Sequence, residues 1–213
     1  HGISLANSRV DFTFHGKAAH AAAAPHLVRS ALDAAELMNI GVNYMREHMP
    51  DSARVHYAYL DVGGAAPNVV QSIATVRQLI RASDLDTLRE LVERVKKIAD
   101  GAALMTGTTV EFSVYSGVSN LVGNRPLEEA MQQEFDKLGP VTFNAEDNQF
   151  ANEIRQSLSK EDIAASFQRI GVKTPADMPL CDFVAPLDRH GEGGEGSTDV
   201  GDVSWVVQTV QAR

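Results

Sequence analysis

Three histidines lie close together near the start of the chain, in a polar segment that also contains lysine, glycine and proline: His15, His20 and His26. An imidazole can move a proton, donate a hydrogen bond to a developing oxyanion or bind a metal ion. The spacings of five and six residues differ from the i, i+4 spacing that places two metal ligands on one face of a helix. The residues alone therefore favour hydrogen-bonding histidines over a metal site.

A second group of possible ligands lies near the C-terminus, in a run interrupted by glycines: Asp188, His190, Glu192, Glu195, Asp199 and Asp202. Carboxylates and imidazoles bind divalent cations. Glycines between them make the run flexible, so we interpret it as a solvated loop. A self-contained metal site in this run stays open as a third, weaker hypothesis.

Glu128 and Glu129 are adjacent acids that could be mistaken for a catalytic pair. They follow Pro126 at the start of a predicted helix, where acidic side chains interact favourably with the helix dipole. Neighbouring helical residues also point about 100° apart. We therefore predict that both side chains are solvated.

The histidine segment lies between a strand pattern and a helix pattern. Apolar and polar residues alternate through residues 9–14, which predicts a strand with one buried face. From Pro25 to Pro50 the apolar residues recur every three or four positions, which predicts a helix of about six turns. Proline suits the first turn of a helix because no amide donor is needed there.

The next elements follow the same two periodicities. We predict strands around residues 55–59, at Ile73–Arg81 and at Thr109–Tyr115, and a second helix that begins at Ser83 with Asp86 three residues later. The order βαββαβ over roughly residues 8–116 predicts a ferredoxin-like α+β fold, with four antiparallel strands and two helices on one face. Its uncovered sheet edges favour a homodimer.

The pattern changes after Gly117. Helices are predicted at Pro126–Leu138, Asn148–Leu158 and Lys160–Ile170, and an apolar cluster surrounds Trp205. Little in this stretch could form a complete sheet, so it resembles part of an α/β domain. We predict two domains, residues 7–118 and an incomplete one at residues 119–213.

Composition excludes some classes of function. A formal charge of −9 gives no basic surface for nucleic acid. No apolar run approaches the roughly 20 residues that span a bilayer, and the first residues lack the order of a signal peptide. The single cysteine, Cys181, cannot form an internal disulfide. Together these features predict a cytoplasmic protein with no membrane or nucleic-acid partner.

Two motifs carry a family resemblance: HGKAAHAAAAPH at residues 15–26 and GGAAPNVV at residues 63–70. With the intervening helix, they resemble the lid of the di-metal aminoacylase and carboxypeptidase-type metallopeptidases. The resemblance implies a metal-dependent amidohydrolase that cleaves the amide bond of N-acyl amino acids, with N-acyl glutamates as the expected substrates. It also implies two divalent metal ions, Zn or Mn, in the intact enzyme.

The resemblance implies roles for three residues. His20 would reach across the dimer and polarise the scissile carbonyl in the partner's active site. Asn68 would be a second donor to the substrate, although a turn asparagine that bonds its own backbone is an equal alternative. Arg81 would bind the substrate carboxylate through its guanidinium fork, with an ordinary solvated arginine as the rival interpretation. We expect His26 to support the turn.

The family's metal ligands and its Glu-Glu pair have no counterpart in this sequence. We therefore expect the chain to be a fragment that binds no metal and hydrolyses nothing alone. A second, related subunit stays open as a partner. The alternative hypothesis is a non-catalytic dimerisation or small-ligand-binding module, since a fold does not fix a function.

Overall fold

A computed structural model describes residues 4–171, 178–188 and 196–212. The chain forms two compact units. The N-terminal unit consists mainly of Leu5–Asn120, and the C-terminal unit consists mainly of Leu121–Gly196 and Val200–Arg213. None of the described helices combines the length and the apolar character needed to cross a bilayer.

The N-terminal unit contains four strands and two α-helices: β1 Ala6–His15, α1 Ala31–Met45, β2 Arg54–Asp61, β3 Ile73–Ala82, α2 Leu85–Thr106 and β4 Thr109–Val118. The strands form one sheet in the order β2-β3-β1-β4, and all neighbours are antiparallel. This architecture confirms the predicted α+β fold.

The core lies between the sheet and the two helices. Alternate residues of the central strands point into it, and Phe12, Phe14 and Ile80 have no solvent exposure. The helices approach each other closely at Gly41, where an added Cβ would lie 2.6 Å from Cγ2 of Ile98. Alternation in the strands and the 3.6-residue period in the helices therefore direct their apolar faces to one common core.

Helix α1 begins later than the sequence predicts. Pro25–Leu27 forms a separate 3₁₀ turn, and the α-helix begins after Ser30, whose side chain accepts a hydrogen bond from the backbone N–H of Asp33 at 3.1 Å. The backbone before Ser30 pairs with the strand end, because Lys17 and Arg29 exchange two N–H···O bonds of 2.8 and 3.1 Å. That pairing keeps this segment extended, so the helix cannot begin at the proline.

The N-cap of α2 is Asp84 rather than the predicted Ser83. The Asp84 carboxylate accepts from the backbone N–H of Thr87 at 2.8 Å and from the hydroxyls of Thr87 and Ser83 at 2.9 Å. The backbone bond from Thr87 is the largest cause that lowers the pKa of Asp84 below its ordinary value of 3.8. An aspartate at this position satisfies one of the donors that a helix start leaves open.

The C-terminal unit contains helices α3 Arg125–Leu138, α4 Ala145–Arg155, α5 Lys160–Ile170 and α6 Val200–Ser204, and no strand among its described residues. Helix α4 begins three residues before the predicted Asn148, because Asn144 and Asp147 form a capping box there. A second capping box, between Ser159 and Asp162, begins α5 at its predicted residue.

The prediction that both adjacent acids are solvated is wrong for Glu128. Glu128 is only 6% exposed, whereas Glu129 forms an ion pair with Arg125 at 2.7 Å on the helix surface. The rotation of about 100° between neighbouring helical residues turns one side chain inward and the other outward. The two carboxylates therefore do not act as a pair.

Candidate functional site

Two loops leave the sheet of the N-terminal unit at the same end. His15, the last residue of β1, pairs with Ile73, the first residue of β3. The loop that follows β1 contains His20, and the loop that precedes β3 contains Asn68. Because β1 and β3 are adjacent and antiparallel, both predicted polar residues lie at the same end of the sheet.

The two loops also pair with each other. An isolated antiparallel bridge joins His20 to Val69. On either side of it, the Ala21 N–H donates to the carbonyl of Asn68 at 3.0 Å, and the Val70 N–H donates to the carbonyl of Ala19 at 3.2 Å. The backbone thus holds the His20 and Asn68 positions next to each other.

The ring of His20 is exposed and has a defined partner. Its Nδ1 accepts a hydrogen bond from the backbone N–H of Ala22 at 3.2 Å. A nitrogen that accepts this bond carries no proton, so the proton of the neutral ring lies on Nε2. The Nε2–H is consequently the donor that His20 offers to a ligand.

Glycines shape the loop that contains Asn68. Gly63 and Gly64 have φ values of 76° and 105°, which L side chains rarely adopt. The N–H of Gly63 donates to the Asp61 carboxylate at 2.8 Å. An added Cβ at Gly63 would lie 2.5 Å from Cβ of Gln71, so this position has no room for another residue.

Arg81 lies at the opposite end of the sheet. It is half-buried near the end of β3, opposite Asn7 on β1 and Arg54 on β2. It follows Ile73 by eight residues, which at about 3.3 Å per residue separates the two ends by about 26 Å. A single copy of the chain therefore brings His20 and Asn68 together but does not bring Arg81 to them.

The other two histidines of the motif lie apart from this pair. The Nε2 of His15 is 3.7 Å from the Glu111 carboxylate on β4. His26 is exposed, and its backbone carbonyl accepts a hydrogen bond from Arg29. Neither histidine contributes to the His20–Asn68 pair.

The described part of the chain contains no group of three or more His, Cys, Asp or Glu residues that could hold a metal ion. The Asp188 carboxylate pairs with the guanidinium of Arg125, at 2.6 and 3.1 Å. His190, Glu192 and Glu195 lie outside the described residues, so the hypothesis of a metal site at residues 188–202 stays open.

Two groups around His20 were not singled out by sequence reasoning. The Ala22 donor is a backbone amide, which every residue except proline carries. Gly16 lies where an added Cβ would be 2.0 Å from the carbonyl oxygen of Arg29. Only the folded loop shows that this glycine permits the close approach of the two segments.

The family assignment follows from the N-terminal unit. Residues 6–106 match the family model described as the peptidase dimerisation domain. The chain therefore belongs to the M20 peptidase family, and this stretch is its dimerisation domain. The assignment confirms the family resemblance of the two loop motifs.

Two relatives are named as a hydrolase and a dipeptidase. The chain is 42% identical over 218 residues to one subunit of the p-aminobenzoyl-glutamate hydrolase of Escherichia coli (strain K12), a match that covers 98% of this chain and 45% of that protein. It is 33% identical over 144 residues to the Xaa-Arg dipeptidase of Mus musculus, covering 67% of this chain and 33% of that protein. The chain thus spans less than half the length of these relatives.

A solved structure shares the fold. The aminobenzoyl-glutamate utilization protein from Klebsiella pneumoniae superposes with a TM-score of 0.57 at 20% sequence identity, covering 92% of this chain and 39% of that chain. At this identity the likeness supports the fold alone.

Proposed function

We propose that this chain is the dimerising lid and a neighbouring segment of a metal-dependent amidohydrolase. The enzyme would cleave the amide bond of N-acyl amino acids, with p-aminobenzoyl-glutamate as the substrate. The observation that carries the proposal is the antiparallel bridge between His20 and Val69, which sets His20 beside Asn68 at one end of a dimerisation domain. The identity of 42% to the Escherichia coli hydrolase subunit supports the choice of substrate.

In this proposal, His20 donates its Nε2–H to the scissile carbonyl oxygen. The bond strengthens as negative charge develops on that oxygen, so it stabilises the transition state more than the ground state. The Asn68 carboxamide is a second donor to the substrate. The Arg81 guanidinium binds the carboxylate of the amino acid, for which its planar fork is well suited.

The described residues offer no ligand set for the two divalent ions, Zn or Mn, that the family implies. Because the ligand motifs of the family have no counterpart in this sequence, we propose that the metal centre lies on polypeptide outside this chain. A second, related subunit is also part of the proposal, because the name of the Escherichia coli relative describes it as one subunit of a hydrolase.

Two copies of the chain would pair along β2. Both edge strands expose large apolar side chains, Tyr57 and Leu60 on β2 and Val114 and Tyr115 on β4. The dimerisation-domain match includes β2 but ends at residue 106, before β4 begins. This difference favours β2 as the edge at which the two copies meet.

Pairing along β2 would also bring Arg81 of one copy to the end of the sheet where His20 and Asn68 of the other copy lie. A two-fold axis makes β2 and its copy antiparallel, so the His20 end of one copy adjoins the Arg81 end of the other. The partner's Arg81 would then lie about three strand spacings, or about 14 Å, from β3, instead of about 26 Å along it. The substrate would thus contact His20 and Asn68 of one copy and Arg81 of the other.

Subunit complementation tests this arrangement in the full-length protein. His20→Ala and Arg81→Ala dimers should each lose most of their turnover with unchanged metal content. After dissociation and random reassociation, half the dimers are mixed and one of their two sites is intact, so about a quarter of the wild-type rate should return. The exposed His26→Ala in the same loop is the control and should retain activity.

A mixture no more active than the two variants alone would refute the shared site. Full activity of the His20→Ala dimer would remove His20 from the reaction.

A cavity in the C-terminal unit supports a second candidate function, a non-catalytic small-ligand-binding module. The cavity has a volume of about 440 Å³, and its lining includes Met131, Phe135, Phe183 and Leu187. Sites for small ligands have this size and apolar character. Two results together would favour the module. An apolar fluorescent probe would bind saturably, and the binding would be lost in Phe135→Asp but not in Phe150→Asp. The full-length protein would show no hydrolase activity.

A further inference from the structure

We propose that the Ala22 N–H and Gly16 are positioning groups for the His20 imidazole. The inference rests on the proposed function, in which His20 donates to the substrate carbonyl. It concerns what orients that donor: the Ala22 amide fixes which nitrogen carries the proton, and Gly16 fixes where the loop lies.

The first part of the argument is the tautomer. A neutral imidazole has two tautomers, and only the one with a proton on Nε2 can both accept from Ala22 at Nδ1 and donate outward. The Ala22 N–H lies 3.2 Å from Nδ1, while the N–H groups of Ala23 and Ala24 bond the His20 carbonyl at 3.2 and 3.3 Å. The turn therefore holds the ring and its backbone together.

The second part is the position of the loop. Its first residue, Gly16, donates its N–H to the Ser72 carbonyl at 2.8 Å, and the next residue pairs with Arg29. Two neighbouring segments are thereby joined on either side of the histidine loop. Because a Cβ at Gly16 would lie 2.0 Å from the Arg29 carbonyl oxygen, Gly16→Ala must displace one of these segments.

Displacing the loop would misplace the donor relative to the carbonyl. A shift of about 1 Å in a catalytic group can cost about 100-fold in rate. Loss of the preferred tautomer alone leaves the loop in place and lowers the fraction of rings with the proton on Nε2. We therefore expect a smaller loss, about twofold in kcat, for a variant that deletes only the Ala22 donor, because two tautomers of similar energy leave about half the rings with the proton on Nε2.

Ring nitrogen NMR of histidine-labelled full chain is the direct test. At about pH 9 imidazoles are neutral, and wild-type His20 should show one protonated Nε2, an unprotonated Nδ1 and a scalar coupling from Nδ1 to the Ala22 amide nitrogen. Ala22→Pro, which lacks the donor, should show a mixture of tautomers, whereas Ala22→Ser, which retains it, should match the wild type. Slow exchange of the Ala21 amide shows whether the loop remains paired.

A wild-type ring that averages the two tautomers, as in an unfolded peptide, would overturn the inference. So would a ring that Ala22→Pro leaves unchanged while the loop stays paired.

Kinetics of the full-length enzyme separate this inference from the proposed function. Ala22→Pro and Gly16→Ala should lower kcat with little change in KM, and Ala22→Ser should restore the rate. If His20→Ala is inactive but Ala22→Pro turns over normally, the positioning inference fails and the proposed function stands. If His20→Ala is fully active, the proposed function fails whatever the state of the ring.

Discussion

A buried amide network beneath the β2 edge gives the sharpest stability prediction. Gln78 has no solvent exposure, and its Nε2 donates to Oδ1 of Asn39 at 2.8 Å. Nδ2 of Asn39 donates in turn to the Tyr59 hydroxyl on β2 at 3.0 Å. The substitution Asn39→Leu would leave the Gln78 amide in the core without its acceptor.

The magnitude follows from that loss. A buried donor without a partner costs about 1–3 kcal/mol, whereas replacing both partners by apolar groups of similar shape is nearly neutral. We therefore expect Asn39→Leu to lower the free energy of unfolding by about 2 kcal/mol. Adding Gln78→Met to it should recover most of that loss. Tyr59→Phe removes one partly exposed acceptor and should cost about 1 kcal/mol or less.

Urea denaturation followed by far-UV circular dichroism measures these differences, with equal m-values as the check that only stability has changed. The reasoning would be refuted if Asn39→Leu were neutral, or if the double variant were less stable than either single one. The tendency of the dimer to dissociate, measured by sedimentation, should rank the variants in the same order as their loss of stability, because the network ends on β2, the edge strand proposed to join two copies.

Two further predictions concern helices and pH. Asp84→Ala should lower the free energy of unfolding by about 1 kcal/mol at neutral pH. Because the pKa of Asp84 is lowered in the folded state, the stabilisation that its charge provides is full above the unfolded value of 3.8 and is lost as the pH falls through the folded-state pKa. Asp84→Asn, which keeps the cap without the charge, should therefore flatten the loss of stability at acid pH in denaturation experiments. Gly101→Ala, whose added Cβ meets no atom within 4 Å, should stabilise α2 by about 0.5–1 kcal/mol. Gly41→Ala, whose added Cβ faces Ile98, should be neutral or destabilising. Thermal unfolding of the two variants measures the difference, and an equal gain in stability at both sites would contradict the close packing of the helices.

Periodicity predicted the fold of the N-terminal unit because each element there buries one face. The alternation that includes Phe12 and the helical period through Met38 both reflect burial in the same core. The beginnings of the helices were less predictable, since Ser30 and Asp84 are selected by backbone pairing and side-chain bonds that several neighbouring polar residues could make. The burial of Glu128 was also missed, because sequence alone does not reveal what packs against that side of α3.

In the candidate site, too, some groups could be predicted from the sequence and others could not. His20 and Asn68 belong to motifs that the sequence displays, and the bridge between their loops joins them. The Ala22 amide and the space at Gly16 depend on backbone geometry, which side-chain chemistry does not encode. The proposed role of Arg81 needs a second copy of the chain, so it does not follow from the geometry of a single folded chain.

The central place of β1 has a consequence for biosynthesis. Within its own sheet it is the first strand to be synthesised, but its neighbours are β3 and β4, and β4 ends at residue 118. At 5–20 residues per second, about 5–20 s pass between translation of β1 and completion of its second neighbour. Until β4 is complete, β1 lacks one of the two strands that flank it in the sheet, so we expect its apolar side chains to stay partly exposed during synthesis.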